Sequence, residues 1–244
     1  MCLSYLLFLC SNESTEKPSA VSSDTAAKDS SPATTAAAGS RDNTPVVLTG
    51  SADGTVTYGN DSVTVDASHT EEGYLMVSYS GSNSKVKLQI TGSDEITYTY
   101  NLHDGYETFP LTSGSGSYTV GVFENIEGTS YSTLFTQAID VTIQDEFGPY
   151  LYANQYVNFS ADSKVISKAM ELSASANDDL EVIENVYNYI ITNFTYDYDK
   201  AASVQSGYLP DVDDVLASQT GSVLITPLSW LPCSGVSGFP PALK

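Results

Sequence analysis

Apolar and polar residues alternate along residues 47–145, and Gly, Asn, Asp and Ser interrupt the alternation at short intervals. The alternating runs are rich in β-branched and aromatic residues, for example YLMVSY at residues 74–79 and YTVGVF at residues 118–123. This combination is typical of half-buried strands joined by turns. Seven or eight short strands at this spacing predict an antiparallel β-sandwich, and we expect Tyr118, Val120 and Val122 to face its core.

The segment GSYTVGV at residues 116–122 is similar to the late strand of immunoglobulin-like and fibronectin-like modules. In such modules a tyrosine at the start of that strand hydrogen-bonds back to the preceding turn, and Tyr118 stands in that place. The resemblance implies an immunoglobulin-like β-sandwich over residues 47–145. The many tyrosines also fit a carbohydrate-binding surface. Alternate tyrosines in a sandwich are more often core or cross-strand pairs, however, which favours a spacer or presenting role.

After Gly148-Pro149 the apolar period lengthens from two residues to three and four, which indicates helices. The first should start near residues 161–162, and a third, short helix is predicted at residues 212–218. The apolar positions of the first helix are Val165, Ile166, Ala169 and Met170.

The clearest helix is predicted at residues 180–193, and we expect it to pack through Ile183, Tyr187 and Ile190. Asp178, three residues before Glu181, predicts a capped start, and an acidic first turn suits the helix dipole. The apolar positions that recur along it are Leu180, Ile183, Tyr187, Ile190 and Phe194.

A helix, then IITNFTYD at residues 190–197, a loop, and DVLASQTG at residues 214–221 together resemble the opening part of a bacterial transglutaminase-like domain. That superfamily is related to papain-like proteases. Its pattern continues into Gly-x-Cys-x-Asp-Tyr-Ala, where the helix dipole and a histidine favour the cysteine thiolate. The resemblance implies a multidomain α+β chain, in which residues 146–221 are the helical front part of an incomplete transglutaminase-like domain.

After Gly221 the chain departs from this pattern and reads SVLITPLSWLPCSGVSGFPPALK. A frameshift explains the departure. One permitted synonymous coding of this stretch, regrouped from its third base, reads Cys-Phe-Asp-Tyr-Ala-Ala-Leu-Leu-Ala-Ala-Met-Leu-Arg-Ser-Leu-Gly-Phe-Pro-Ala, which is the family's catalytic-cysteine helix and the turn after it. Residues 222–244 are therefore interpreted as an out-of-frame tail, and a genuine C-terminal tail is the alternative. Cys233 has no histidine downstream, so no catalytic residue is assigned in this chain.

Residues 1–10, MCLSYLLFLC, form an apolar run that is too short to span a bilayer but suits a signal peptide. The stretch LFLC at residues 7–10, followed by SNESTEKPSA, resembles the cleavage region of lipoprotein signal peptides. The resemblance implies lipid attachment at Cys10 and an extracytoplasmic protein, either lipid-anchored to the cell surface or secreted. An ordinary secretory signal with an incidental cysteine is the alternative. Residues 11–46, mostly small and polar, predict a disordered tether.

The net charge of −21 comes from 30 acidic and 9 basic residues. No Lys/Arg cluster exists to neutralise phosphates, which excludes nucleic acid as a partner and leaves a lipid anchor as the means of membrane attachment. His69 and His103, the only histidines, read as solvated loop residues without a clustered carboxylate partner. Neither a metal site nor a cofactor is expected.

Two classes of function follow from these observations. The first is an exported protein with a truncated transglutaminase-like domain that is inactive as given. Its intact parent would cleave or transfer amides through a Cys-His-Asp triad, acting on a protein or a peptidoglycan peptide. The second is a non-catalytic cell-surface binding or spacer module built on the β-sandwich. The residues that would separate protease, transglutaminase and amidase are missing.

Overall fold

The computed structural model describes residues 41–221, and these form an α+β chain in which antiparallel sheet predominates. One four-stranded sheet has the order β1-β2-β3-β6, and the other has the order β5-β4-β7-β8. All strand pairs within these two sheets are antiparallel. The strands are β1 (Thr57–Gly59), β2 (Val63–Asp66), β3 (Tyr74–Tyr79), β4 (Val86–Thr91), β5 (Thr97–Leu102), β6 (Gly105–Pro110), β7 (Gly116–Glu127) and β8 (Ser130–Val141).

Both sheets contribute to one hydrophobic core. In β4 the alternation is complete, because Val86, Leu88 and Ile90 are buried while Lys87 and Gln89 are only half-buried. The side chains that meet β4 across the core come from the other sheet and include Val63, Val65, Leu75, Val77 and Phe109. The period-two pattern thus matches one buried and one half-buried face in β4, whereas β3 is buried at five of its six positions.

Strand β7 confirms two predictions about its side chains. Tyr118, Val120 and Val122 are at most 1% exposed and lie in the shared core. The Tyr118 hydroxyl donates to the carbonyl oxygen of Gly114 at 2.7 Å, which is the predicted bond back to the preceding turn. This bond satisfies the polar end of a ring that is otherwise surrounded by apolar side chains.

Several strands run beyond their alternating segments. Strand β8 begins at Ser130 and strand β6 at Gly105, well before the buried residues Ile139 and Phe109 that these strands contribute to the core. The β7–β8 hairpin continues to a turn at Gly128, where φ is +56°. Its tip is exposed, including Ile126 at 69%, so backbone ladder bonds rather than burial hold it there. Hydrophobic alternation could not reveal this part of the sheet.

Four helices and a pair of short strands follow the two sheets. They are α1 (Lys164–Ser173), α2 (Asp179–Asn193), β9 (Thr195–Tyr196), α3 (Tyr198–Ser203), α4 (Val212–Ser218) and β10 (Thr220–Gly221). The predicted helices at 180–193 and 212–218 are confirmed, and the Asp178 carboxylate accepts the Glu181 amide at 2.9 Å as expected for a cap. Helix α3 was not predicted, because six residues are too few to show a helical period.

The predicted packing face of α2 is wrong for two of its three residues. Ile190 packs against the helical core, but Ile183 and Tyr187 are 39% and 60% exposed. The residues that face inward are Val182, Val186, Tyr189 and Ile190. Helix α2 is apolar on two sides, and periodicity alone could not tell which side the neighbouring helices cover.

Helix α1 also differs from its prediction. It begins at Lys164 because Ser163 has the extended backbone of a capping residue. Val165, Ile166 and Ala169 are buried as expected, whereas Met170 is 46% exposed. The buried face of α1 runs through Val165, Ile166, Ala169 and Ser173, and Met170 lies beside it.

The end of the predicted tether contacts the helical region. Residues 1–40 lie outside the described part, as do Cys10 and the tail at 222–244. In residues 41–46, the Arg41 guanidinium contacts the Asp179 carboxylate at 2.7 Å, and the Asn43 side-chain amide donates to the Ala176 carbonyl oxygen at 3.2 Å. These six residues differ from the expectation of a mobile linker, since side-chain bonds join them to the segment before α2.

Candidate functional site

The segment that resembles a transglutaminase-like domain ends at a fixed point beside α2. Strands β9 and β10 pair in parallel, with Gly221 opposite Tyr196. The Asp197 amide donates to the Gly221 carbonyl oxygen at 3.0 Å, and Gly221 is buried. The position at which the family pattern would continue into its cysteine is therefore held close to the C-terminal end of α2.

Asp197, which belongs to the quoted TYD pattern, has a structural role here. Its carboxylate caps α3 by accepting the Lys200 amide at 2.8 Å. The Lys200 ammonium lies 5.0 Å from the centroid of the Tyr208 ring, and interaction with the Tyr208 side chain raises the pKa of this lysine. Helix capping is therefore sufficient to explain the position of Asp197, and no catalytic role is needed.

Helix α4 is attached to α1 through a carboxylate on its first turn. Asp211 caps α4 by accepting two backbone amides. Two residues later, Asp213 accepts the amides of Lys164 and Val165, both at 3.0 Å. A side chain of α4 thus satisfies the amides at the start of α1, whose own capping residue Ser163 makes no side-chain cap bond.

His69 has two carboxylate neighbours, so its reading as a solvated residue without such partners is wrong. Its Nδ1 lies 3.2 Å from Glu72 Oε1, and its Nε2 lies 2.9 Å from Asp53 Oδ2. The ring stacks on Tyr74 with 5.3 Å between centroids, and 19% of the side chain is exposed. Glu72, three residues downstream, was visible in the sequence, whereas Asp53 comes from a preceding loop that only the tertiary structure brings close.

The Ser51 hydroxyl lies 3.2 Å from His69 Nε2, which superficially completes a serine–histidine–carboxylate set. The presence of a second carboxylate beside His69 argues against a role for this histidine as a general base. Burial alone would lower the pKa of His69, but hydrogen bonds and charge from Glu72 and Asp53 outweigh it and raise the pKa. Carboxylates at both ring nitrogens favour the protonated ring and engage both nitrogens, so neither nitrogen is placed to take a proton from the serine.

His103 is an exposed loop residue as predicted, and it also has one carboxylate neighbour. Its Nδ1 lies 3.1 Å from Glu107 Oε1, although half of its side chain is exposed. The same oxygen accepts the buried Gln155 amide at 2.7 Å, and that amide also donates to the Asn101 carbonyl oxygen at 2.6 Å. Gln155 thus connects the segment before α1 to β6 of one sheet and β5 of the other.

Two surface clefts lie near the segment that follows β8. A cleft of about 280 Å³ includes Glu107, Asn154 and Gln155 in its wall. A larger one of about 670 Å³ includes Gln144, Glu146 and Tyr150. Both are lined by amide, hydroxyl and acidic side chains together with apolar ones. Neither joins a nucleophile to a base in the way that covalent catalysis requires.

The described residues contain neither a metal cluster nor a spanning helix. Within 41–221, no group of three or more His, Cys, Asp or Glu side chains could hold a metal ion. In the same part of the chain, no helix has the length and apolar character needed to cross a membrane. Searches against family models, curated proteins and solved structures found no match to this chain.

Proposed function

We propose that this chain is an exported surface protein in which an immunoglobulin-like module carries the front part of a transglutaminase-like domain, inactive as given. The intact parent would break or transfer amide bonds with a cysteine, histidine and aspartate. Its substrate class would be a protein or a peptidoglycan peptide. Localisation at the cell surface, through a lipid on Cys10 or by secretion, belongs to the same proposal.

The immunoglobulin-like assignment is supported by strand order. The sequence β2-β3-β6 in one sheet and β5-β4-β7-β8 in the other corresponds to the A-B-E and C′-C-F-G arrangement of such modules, with β1 added at the edge. Tyr118 at the start of β7 then stands where the tyrosine corner of strand F stands, and it makes the corresponding hydrogen bond to Gly114.

The observation that carries the enzyme-derived assignment is the path from α2 to Gly221. Helix α2, strand β9, helix α4 and strand β10 follow in the order of the resembled pattern, with the short helix α3 in the connection between β9 and α4. The parallel β9–β10 pair brings the point of departure back beside α2. In the parent, a catalytic helix would start two residues after Gly221. It would then begin beside α2 and could pack against the exposed apolar side of that helix.

Inactivity of the chain as given follows from its missing groups. Covalent acyl transfer needs a thiolate next to a base. Residues 41–221 contain no cysteine, and their two histidines are both paired with carboxylates in the sheet region. Cys233 has no histidine after it in the sequence.

The decisive experiment sequences the gene across the codons for residues 220–222 and onward in the other frame. Restoring one nucleotide there should return a cysteine two residues after Gly221, then a histidine and an aspartate. The repaired chain should show thiol-dependent amide hydrolysis or amine incorporation, and the original chain should show neither. An early stop, or a frame without that histidine, would refute the frameshift.

A second outcome concerns the original chain alone. If it is active and Cys233→Ser abolishes the activity, the reading of Cys233 as incidental is also wrong. The matched control is Cys10→Ser, which removes the other thiol of interest without touching the tail. That variant separates loss of a nucleophile from loss of the proposed lipid site.

The alternative function is a non-catalytic spacer or binding module. It is favoured by the completeness of the two-sheet core, which closes without help from the helices. Under this alternative the original chain is the working form, and the repaired frame would yield no thiol enzyme. The same sequencing experiment therefore distinguishes the two.

A further inference from the structure

The outward side of α2 carries a continuous apolar stripe, which we call the α2 outer face. Its members are Leu180, Ile183, Tyr187 and Ile191. They are spaced three, four and four residues apart, so they lie along one side of the helix. Their exposures are 74%, 39%, 60% and 58% in that order.

The stripe is additional to the face with which α2 packs against the helical core. A helix that is apolar on two sides is normally covered on both. Scattered exposed apolar residues are ordinary on a protein surface, but an aligned set of four over the length of a helix marks a contact surface. Something should therefore lie against the α2 outer face.

A second copy of the chain is disfavoured by charge. Asp179, Glu181 and Glu184 lie on the same helix as the stripe, and the whole chain has a net charge of −21. Two copies that met through α2 would bring these carboxylates together, and like charges in close proximity oppose association.

Residues 222–244 have the complementary composition. They contain no acidic residue and one basic residue, Lys244. Their large apolar residues are Val223, Leu224, Ile225, Leu228, Trp230, Leu231, Val236, Phe239 and Leu243. This segment can supply apolar surface without adding a negative charge beside the acidic first turn of α2.

The segment also starts at a suitable place. Gly221 is anchored through Asp197, close to the C-terminal end of α2. Helix α2 has 15 residues, so it is about 22 Å long at 1.5 Å per residue. The 23 residues after Gly221 reach about 75 Å when extended, more than three times that length. They can cover the stripe from end to end and still fold back.

We propose that residues 222–244 pack within the same chain against the α2 outer face. The attachment at Gly221 makes the contact intramolecular, so a modest apolar contact suffices at a high effective concentration. The inference goes beyond the proposed function and stands whether or not the gene is frameshifted, because it concerns the chain as it is written.

Trp230 is the sole tryptophan, so tryptophan emission reports on the surroundings of residues 222–244 alone. The experiment measures the emission of the full chain with excitation selective for tryptophan, together with quenching by acrylamide. We expect emission at a shorter wavelength than that of a free peptide with residues 222–244. In the double variant Ile183→Ser/Tyr187→Ser, emission should move to the peptide value and the quenching constant should rise about twofold, as the indole loses its cover.

Matched variants separate this contact from general damage. Ile126→Ser/Tyr106→Ser removes two side chains of similar exposure from the sheet region, at 69% and 46%, and should leave the emission unchanged. The conservative variant Ile183→Leu/Tyr187→Phe keeps the stripe apolar and should retain the short-wavelength emission. Circular dichroism verifies that the helices persist in each variant.

Three results would overturn the proposal. The first is peptide-like emission from the unchanged chain. The second is short-wavelength emission that survives loss of Ile183 and Tyr187 while the helix content is intact. The third is a shift that grows with protein concentration and vanishes on dilution, because this would identify a second copy as the occupant. Gene sequencing decides the proposed function separately, so the two failures remain distinguishable.

Discussion

The two-sheet region and the helical region bury their apolar residues to different degrees. Eighteen buried residues from both sheets form one core between Val63 and Val141. The helical cluster has seven, from Ala153 to Val212, with further half-buried neighbours. Most of α2 is exposed, and Val182 is its single fully buried residue. Among the described residues, the sheet region has thus closed its core, whereas the helical region leaves one apolar face of α2 uncovered by any described element.

The difference comes from how each architecture covers its apolar side chains. A strand needs only one partner sheet, and here both sheets are present with their inner faces in contact. Helices that are apolar on two sides need a layer on each side. In the described residues, α1 packs along one side of α2, and α4 packs against α1. The sheet region should therefore be the more stable of the two.

The largest expected effect is loss of core volume between the sheets. Leu88 is fully buried in β4, and Leu88→Ala should reduce the free energy of unfolding by about 3 kcal/mol, through lost burial and the cavity left behind. Urea unfolding measures the change. The control Ile126→Ala, at a site 69% exposed, should stay within about 0.5 kcal/mol. A cost below 1 kcal/mol at Leu88 would mean that the shared core is not the main stabilising element.

Hydrogen exchange tests the comparison without a mutation. Amides in β3, β4 and β7 should exchange about a hundredfold more slowly than those in α2 and α4, a difference of about 3 kcal/mol in opening free energy. Mass spectrometry of peptides from the two regions gives the rates. Equal protection would show that sheets and helices open as a single cooperative unit, which would contradict the contrast drawn above.

A smaller effect is expected at the start of α2. Asp178→Ala removes the acceptor of the Glu181 amide and should destabilise the helix by about 1 kcal/mol. Exchange of α2 amides should rise, with little change in β4. Asp178→Asn keeps a capping oxygen and should restore protection. If Asn behaves like Ala, the cap bond is not the cause.

The smallest effect is the pH dependence of His69. Its pKa is raised above the ordinary value of 6.5, so its contribution is complete below that pH and is lost as pH rises through the raised value. The contribution should be below about 1 kcal/mol, as for partly solvated ion pairs. Urea midpoints should therefore fall between about pH 6 and 8 in the wild type and vary less in His69→Gln. If the wild type and His69→Gln have identical pH profiles, His69 does not contribute to the pH dependence of stability.

Much of the local structure was predictable from the sequence. Alternation identified the strands with the strongest core patterns, and Tyr118 was assigned both its burial and its hydrogen bond. Asp178 was predicted as the capping residue of α2, and residues 212–218 were predicted as a short helix. These features depend on neighbours within a few positions, where backbone geometry links sequence spacing to orientation in space.

The errors fall where a residue meets a distant part of the chain. Met170 and Ile183 have helical spacing and yet face solvent. His69 was read without partners because Asp53 lies sixteen positions earlier and reaches it only through the fold. The exposed tip of the β7–β8 hairpin has few large apolar residues besides Ile126 and Tyr131, so its strand ends could not be recognised from alternation.

By itself, the sequence determined where the core strands and the three longer helices form, how the longest helix begins, and which residues of β7 point inward. The tertiary structure alone decided which side of α2 is covered, which carboxylates surround His69, and where Gly221 is held. The physical reason is the range of the interactions. Periodicity and capping act over three or four residues, whereas coverage of a face and pairing of a buried charge depend on surfaces brought together from far along the chain.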